Sequence, residues 1–353
     1  MSILKIDKNG WAEGVAKLHE SYALFGPVKE RGYHNMKRLE SGALPDLSFT
    51  NTRLSPKAVV YPQSEKMFEY TIDESKPDHH VNHEAPKDYS PRAILGIRPC
   101  DTMAFGLVAR NFDNPEYKDP WWIQAREVTT LVGLACDAPR STCFCTSAGS
   151  GPHDTSGQDI LLVDKGDYFF AQVLTEKGQT LAQKAGWTAQ AGPEAKELLG
   201  KAAQEANAKV TSKIETSNLA KKSLLALHGA SFWEDVAFAC INCGTCTFLC
   251  PTCWCFDIQD EVLNKQGIRI RNWDSCMYPL FTLHGSGHNP RGKKVERVRQ
   301  RFMHKLKYFL DKYQDGIQCV GCGRCIQFCP VNIDIRKVAS AMNNFEPAGE
   351  CAA

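Results

Sequence analysis

Two runs of cysteine near the C-terminus repeat one spacing: Cys240, Cys243, Cys246 and Cys250 followed by Pro251, then Cys319, Cys322, Cys325 and Cys329 followed by Pro330. A lone Cys-x-x-Cys would suit zinc or thiol exchange. The 2-2-3 spacing closed by proline is instead the pattern with which bacterial ferredoxins hold a [4Fe-4S] cube. Three thiolates on one tight turn grip three irons, and in two-cluster ferredoxins the fourth cysteine leaves on a helix and ligates the other cube. The spacing thus predicts one cube on Cys240, Cys243, Cys246 and Cys329, and a second on Cys319, Cys322, Cys325 and Cys250. Gly244, Thr245, Gly321 and Gly323 lie inside the turns, where small residues let the backbone wrap the cube and aim N–H groups at sulfur. A pair of structural zinc ribbons is the competing reading, but zinc takes four ligands per site and has no use for this register.

Four more cysteines sit in the N-terminal half. Cys100 and Cys136 each follow a continuous apolar run, and Cys143 and Cys145 lie a short loop further on. Strand ends in an open parallel sheet share one edge, where ligands bind. Cys100, Cys136, Cys143 and Cys145 could therefore converge on a third [4Fe-4S] cluster; a zinc site or plain burial of thiols are the alternatives. Cys253, Cys255 and Cys276 could offer alternative ligands or join a separate cluster, but read best as reduced thiols lining the cluster environment, with Trp254 and Trp273 as core. Cys351, in a Gly-Glu-Cys-Ala-Ala tail, reads as a disordered thiol.

The elements that must position these residues follow from the apolar pattern. Residues 1–175 read as an α/β domain, with strand-like runs at Ala58–Tyr61, Ala93–Ile97, Thr129–Leu134 and Ile160–Val163. The middle two are apolar throughout, as strands buried on both faces of a mostly parallel sheet are. Thr102–Arg110 reads as a helix. Residues 176–231, rich in Ala, Lys, Glu and Gln, read as a helical linker interrupted near Gly192 and Pro193. Residues 232–345 form the cluster domain and 346–353 a tail. Between the two motifs Val295, Val298, Phe302, Leu306 and Phe309 recur at intervals of three and four, the stripe of an amphipathic helix. The long connection predicts a mainly α-helical two-cluster ferredoxin domain rather than a small hairpin ferredoxin.

Composition excludes several function classes. The net charge of +2 over 353 residues gives no global field for nucleic acid or a membrane surface. No apolar run approaches the roughly 20 residues that span a bilayer, and the N-terminus lacks signal-peptide regions. With sixteen cysteines, half of them in the two cluster motifs, a reducing cytoplasm is the expected setting, and an oxygen-poor organism would suit exposed cubes. His79, His80 and His83 read as a solvated loop, and Gly149–Pro152 as a loop over the Cys143/Cys145 site, since no dinucleotide fingerprint accompanies it. Arg271, Lys293, Lys294, Arg297, Arg301, Lys305 and Lys307 form a basic face whose default reading is solvation; tuning of cluster potential or docking of an acidic partner is the functional one.

The stretch Cys240-Ile-Asn-Cys-Gly-Thr-Cys-Thr-Phe-Leu-Cys-Pro-Thr-Cys-Trp-Cys-Phe, with Trp273-Asp-Ser-Cys276 and the Cys319 run, resembles the iron–sulfur subunit of anaerobic sulfite reductases and the β subunit of cytoplasmic sulfhydrogenases. Subunits serving heterodisulfide-reductase-type complexes are similar too. Gly96-Ile-Arg-Pro-Cys-Asp101 and Thr142–Pro152 belong to the same resemblance, which covers residues 90 onward with specific motifs. It implies a hetero-oligomer in which this chain relays electrons between a flavin subunit that handles NAD(P)H and a catalytic redox subunit of sulfite reductase, hydrogenase or heterodisulfide reductase type. The alternative is a flavin-containing reductase component that acts directly on a substrate. The expected part is an electron relay with no catalytic residues of its own.

Overall fold

The computed structural model describes residues 2–347; Cys351 lies outside them. The strands, in chain order, are β1 (Ser2–Asp7), β2 (Ala23–Glu30), β3 (Tyr33–Arg38), β4 (Ser64–Thr71), β5 (His83–Glu84), β6 (Arg92–Ile97), β7 (Thr129–Leu134), β8 (Ile160–Asp164), β9 (Tyr168–Val173), β10 (Phe256–Leu263) and β11 (Gln266–Trp273). Seven of them form one sheet in the order β1-β9-β8-β7-β6-β2-β3. Its centre is parallel, from β2 through β6 and β7 to β8, with antiparallel strands on both edges.

The uninterrupted apolar runs account for this centre. Every residue of β7 and all but the first of β6 are buried, as strands covered on both faces must be. Helix Pro99–Phe112 leaves β6 with proline in its first turn, where a missing N–H costs nothing. Helix Pro120–Glu127 is capped by Asp119, whose carboxylate accepts from the Trp122 amide at 2.8 Å. Helices Glu176–Ala185 and Ala195–Ala208 follow the sheet and break on either side of Gly192 and Pro193.

Two expectations change. Ala58–Tyr61 is no strand: Pro56–Val59 forms a 3-10 turn, started by proline in its first position and by Ser55, whose hydroxyl accepts from the Lys57 amide. The second change lies between the cluster motifs. The amphipathic helix is present as Lys294–Met303, continuing through a π-helical turn, His304–Tyr308, into Phe309–Tyr313. The segment before it is a β-hairpin, β10 and β11 paired in full register, so the mainly helical description of the cluster region holds only in part. β11 also pairs with β4, giving a second sheet in the order β10-β11-β4-β5. A strand from residues 64–71 thereby becomes part of the scaffold that carries the cysteine motifs. No helix among the described residues is long and apolar enough to cross a membrane.

The basic face of the inter-motif helix is also corrected. Lys293 and Lys294 are exposed, but Arg297, Arg301, Lys305 and Lys307, with Arg271 from β11, are buried. The helix turns both its apolar stripe and most of its charge inward. His79, His80 and His83 lie exposed.

Candidate iron–sulfur centres

The two cysteine motifs build the same backbone. Asn242 and Gly321, at equivalent positions, have φ of 54° and 62°; Gly244 and Gly323, also equivalent, have 73° and 74°. Each pair of left-handed residues turns the chain back on itself before a single helical turn, Thr245–Phe248 in one motif and Arg324–Gln327 in the other. The turn aims N–H groups at sulfur: the Asn242 amide lies 3.4 Å from Cys240 Sγ, and the Ile333 amide 3.2 Å from Cys329 Sγ. Glycine is needed for close approach as well as for φ. A Cβ on Gly244 would meet the Tyr278 hydroxyl at 2.6 Å, and one on Gly321 would lie 2.5 Å from the Cys145 amide nitrogen.

Three small cavities of similar size are walled by cysteine. The first, about 30 Å³, has Cys240, Cys243, Cys246 and Cys329 in its wall. The second, about 20 Å³, has Cys250, Cys319, Cys322 and Cys325. The third, about 30 Å³, has Cys100, Cys136, Cys143 and Cys145. Each fourfold set expected from spacing or strand position is thus gathered around one space. Among the described residues no three His, Cys, Asp or Glu side chains converge on a point that would hold a single metal ion; the thiols surround volumes instead, as a cube requires.

The cavities share walls. Cys325 and Arg301 line both the first and the second, and Cys322 lines both the second and the third. The loop carrying Cys143 and Cys145 packs directly on the second motif: the Phe144 amide donates to the Gly321 carbonyl at 2.8 Å, and Cys143 Sγ lies 3.8 Å from the Cys322 carbonyl. Gly151 and Pro152, from the loop read as a cover, close the third cavity.

Buried charge tests whether an anionic group fits. Taking an ion out of water costs several kcal/mol unless it is compensated. Arg271 and Arg324 are compensated by carboxylates: Arg271 by Glu65 and Asp119, and Arg324 by Asp101 through two 2.7 Å hydrogen bonds. Arg98, Arg301, Lys305 and Lys57 are as deeply buried but meet no carboxylate among the described residues. Each faces cysteine. Arg98 lines the third cavity, Arg301 the first two, Lys305 the second, and Lys57 donates to the Cys253 carbonyl at 2.6 Å. Arg98 donates to the Phe49, Leu134 and Ala135 carbonyls, and Arg98 and Arg301, like Arg271, leave Nε without a partner. Such cations suit a negatively charged thiolate cluster, and the donor set fits the group.

Proton affinities point the same way. Burial opposes the Lys305 ammonium, but the neighbouring sulfurs of Cys250, Cys253 and Cys319 outweigh it and raise its pKa above the ordinary value. Burial pushes the Cys319 and Cys145 thiols up to about 12 and Cys246 to about 11, whereas the hydrogen bond with Cys253 holds Cys250 well below the ordinary thiol value. Metal ligation deprotonates a coordinating thiol outright.

Asn51, Thr52 and Lys57 escaped the sequence reading. The first two accept from Arg324, and none lies in a motif. Asp101 was visible beside Cys100, yet nothing in the sequence says that it clamps an arginine of the second cysteine motif.

Residues 239–333 match the 4Fe-4S dicluster domain family. Over 345 residues the chain is 29% identical to the sulfhydrogenase 2 subunit beta of Pyrococcus furiosus, covering 96% of this chain and 97% of that relative. No solved structure matches.

Proposed function

We propose that this chain, similar over nearly its whole length to a sulfhydrogenase β subunit and carrying a 4Fe-4S dicluster domain, is the electron relay of a cytoplasmic hetero-oligomer, taking electrons from a flavin subunit that oxidises NAD(P)H and passing them to a catalytic redox subunit, or the reverse. Cys240, Cys243, Cys246 and Cys329 would hold one centre, and Cys250, Cys319, Cys322 and Cys325 the other. Cys100, Cys136, Cys143 and Cys145 would hold a third. Cubes bound at these positions supply reversible one-electron storage.

The single observation carrying this reading is that the three cysteine-walled cavities abut in a row through Cys322 and Cys325. The chain's own part is to fix that order, to exclude water with buried walls, and to set potentials with Arg98, Arg301 and Lys305. Cys243 is the exposed member of the first set, which makes that end the natural point of exchange with a partner.

The test is anaerobic iron and sulfide quantitation on the isolated chain. About twelve irons per chain are expected, at four per cube, falling to about eight in Cys145→Ala. Eight irons in the unmodified chain, unchanged in Cys145→Ala, would remove the third centre. A chain binding zinc and no acid-labile sulfide would overturn the relay altogether.

A further inference from the structure

Cys253, Cys255 and Cys276 line none of the three cavities and are assigned no role by them. The hairpin brings them together. Cys255 precedes β10 and Cys276 follows β11, and the Asp274 amide donates to the Cys255 carbonyl at 3.0 Å. The side chains of Cys255 and Cys276 are neighbours, as are those of Cys253 and Cys250, a wall of the second cavity. Among the described residues no third ligand completes a site for a single metal ion with them.

The surroundings are unusual for structural thiols. Lys57 is buried without a carboxylate among the described residues, donating to the Cys253 carbonyl and lying 4.1 Å over the Trp273 ring. Lys305 Nζ reaches Thr252 Oγ1 at 2.9 Å, and that hydroxyl lies 3.3 Å from Cys250 Sγ. Cys276 is only 7% exposed, so an outside thiol has poor access for exchange.

We propose that Cys255 and Cys276 are a redox-active dithiol–disulfide pair served by the iron–sulfur centre at Cys250. The proposal rests on the assignment of Cys250 to that centre. On reduction the sulfur–sulfur bond breaks, two electrons arrive singly from the reduced iron–sulfur centre, and two protons are taken up to give two thiols. On oxidation the bond forms, two protons leave, and the electrons return one at a time. The pair gives a chain of one-electron carriers a place to hold electrons in twos.

The experiment uses the full chain, prepared without air with its clusters in place and poised with mediator dyes over a range of potentials. Acid quenching, alkylation with N-ethylmaleimide and peptide mass spectrometry then read the state of each cysteine. The expected result is a reversible Cys255–Cys276 crosslink, about two daltons lighter than the dithiol, whose oxidised-to-reduced ratio changes tenfold per about 30 mV, as a two-electron couple does. Cys276→Ser should abolish the transition while iron and sulfide content stay unchanged. The proposal is overturned if both residues alkylate fully at every potential, or if Cys276→Ser or Cys255→Ser lowers the iron content, which would make them cluster ligands. Failure of the underlying assignment reads out separately: Cys250→Ala would then leave the iron content intact.

Discussion

Arg301 offers the sharpest perturbation. Its guanidinium lies between the first and second cavities, 4% exposed, over the Phe302 ring at 4.3 Å, with no carboxylate in reach among the described residues. Burial works against its charge, and the thiolates of Cys246 and Cys325 more than offset that, holding its pKa above the ordinary value. Reducing a cluster adds one negative charge beside this cation. At roughly 6 Å and an effective dielectric of about 20, the interaction is about 2.8 kcal/mol. For a one-electron couple 1.4 kcal/mol corresponds to about 59 mV, so Arg301→Met, which keeps length and removes charge, should lower the potentials of both flanking clusters by about 120 mV. Lys305→Met should lower only the one at the second cavity, which it lines alone of the two. EPR-monitored redox titration measures both, with iron content confirming occupancy. Potentials moving by less than about 20 mV in an iron-replete Arg301→Met protein, or moving upward, would refute the electrostatic argument.

Further predictions concern the scaffold. Arg324→Met strands the Asp101 carboxylate, whose side chain is 2% exposed, and should destabilise the protein by about 3–5 kcal/mol, whereas Asp101→Leu with Arg324→Leu should recover most of the loss; denaturant unfolding measures both. Gly321→Ala places a Cβ 2.5 Å from the Cys145 amide nitrogen at a φ of 62° and should cost the centre proposed on Cys100, Cys136, Cys143 and Cys145, read as a drop of about four irons per chain. Burial, then Lys305 and Arg291, holds the His304 pKa down at about 4. The unfolded chain therefore binds the extra proton below about pH 6.5, and stability should fall by roughly 2–3 kcal/mol between pH 6.5 and 4, a slope that His304→Leu flattens in denaturant titrations at stepped pH. A fragment of residues 232–345 loses Asp101, Glu65 and Asp119, the partners of Arg324 and Arg271, and should fail to retain iron that the full chain keeps; a folded fragment with about eight irons would contradict this.

The cysteine turns were legible because their signals are local. The 2-2-3 spacing encodes a turn whose left-handed positions recur at Asn242 and Gly321, and again at Gly244 and Gly323. The apolar runs of β6 and β7 predicted the strand ends that present Cys100 and Cys136. The hairpin was not legible. β10 is exposed along nearly its whole length, and its residues, Phe-Asp-Ile-Gln-Asp-Glu-Val-Leu, show no apolar alternation facing a core. Its stability comes from pairing with β11, which pairs in turn with β4 nearly two hundred residues earlier. Charge misled in the opposite way. A run of arginine and lysine on a helix reads as solvent-facing because sequence alone does not display the anions that would compensate burial.

That compensation explains why the cluster motifs are embedded in so large a chain. Arg271 on the hairpin is held between Glu65, on β4, and Asp119, the cap of a helix in the sheet domain. Arg324, inside the second cysteine turn, is held by Asp101, the residue after a cysteine of the third set. Carboxylates thus serve the cations that fasten the cysteine region to the sheet, and among the described residues none forms an ion pair with Arg98, Arg301 or Lys305, which face the cavities. A carboxylate there would neutralise the cation and raise the cost of adding an electron nearby. Keeping those cations free for the clusters while securing the others with acids requires two buried charge systems, and the interleaving of the sheet domain with the hairpin is what keeps them apart.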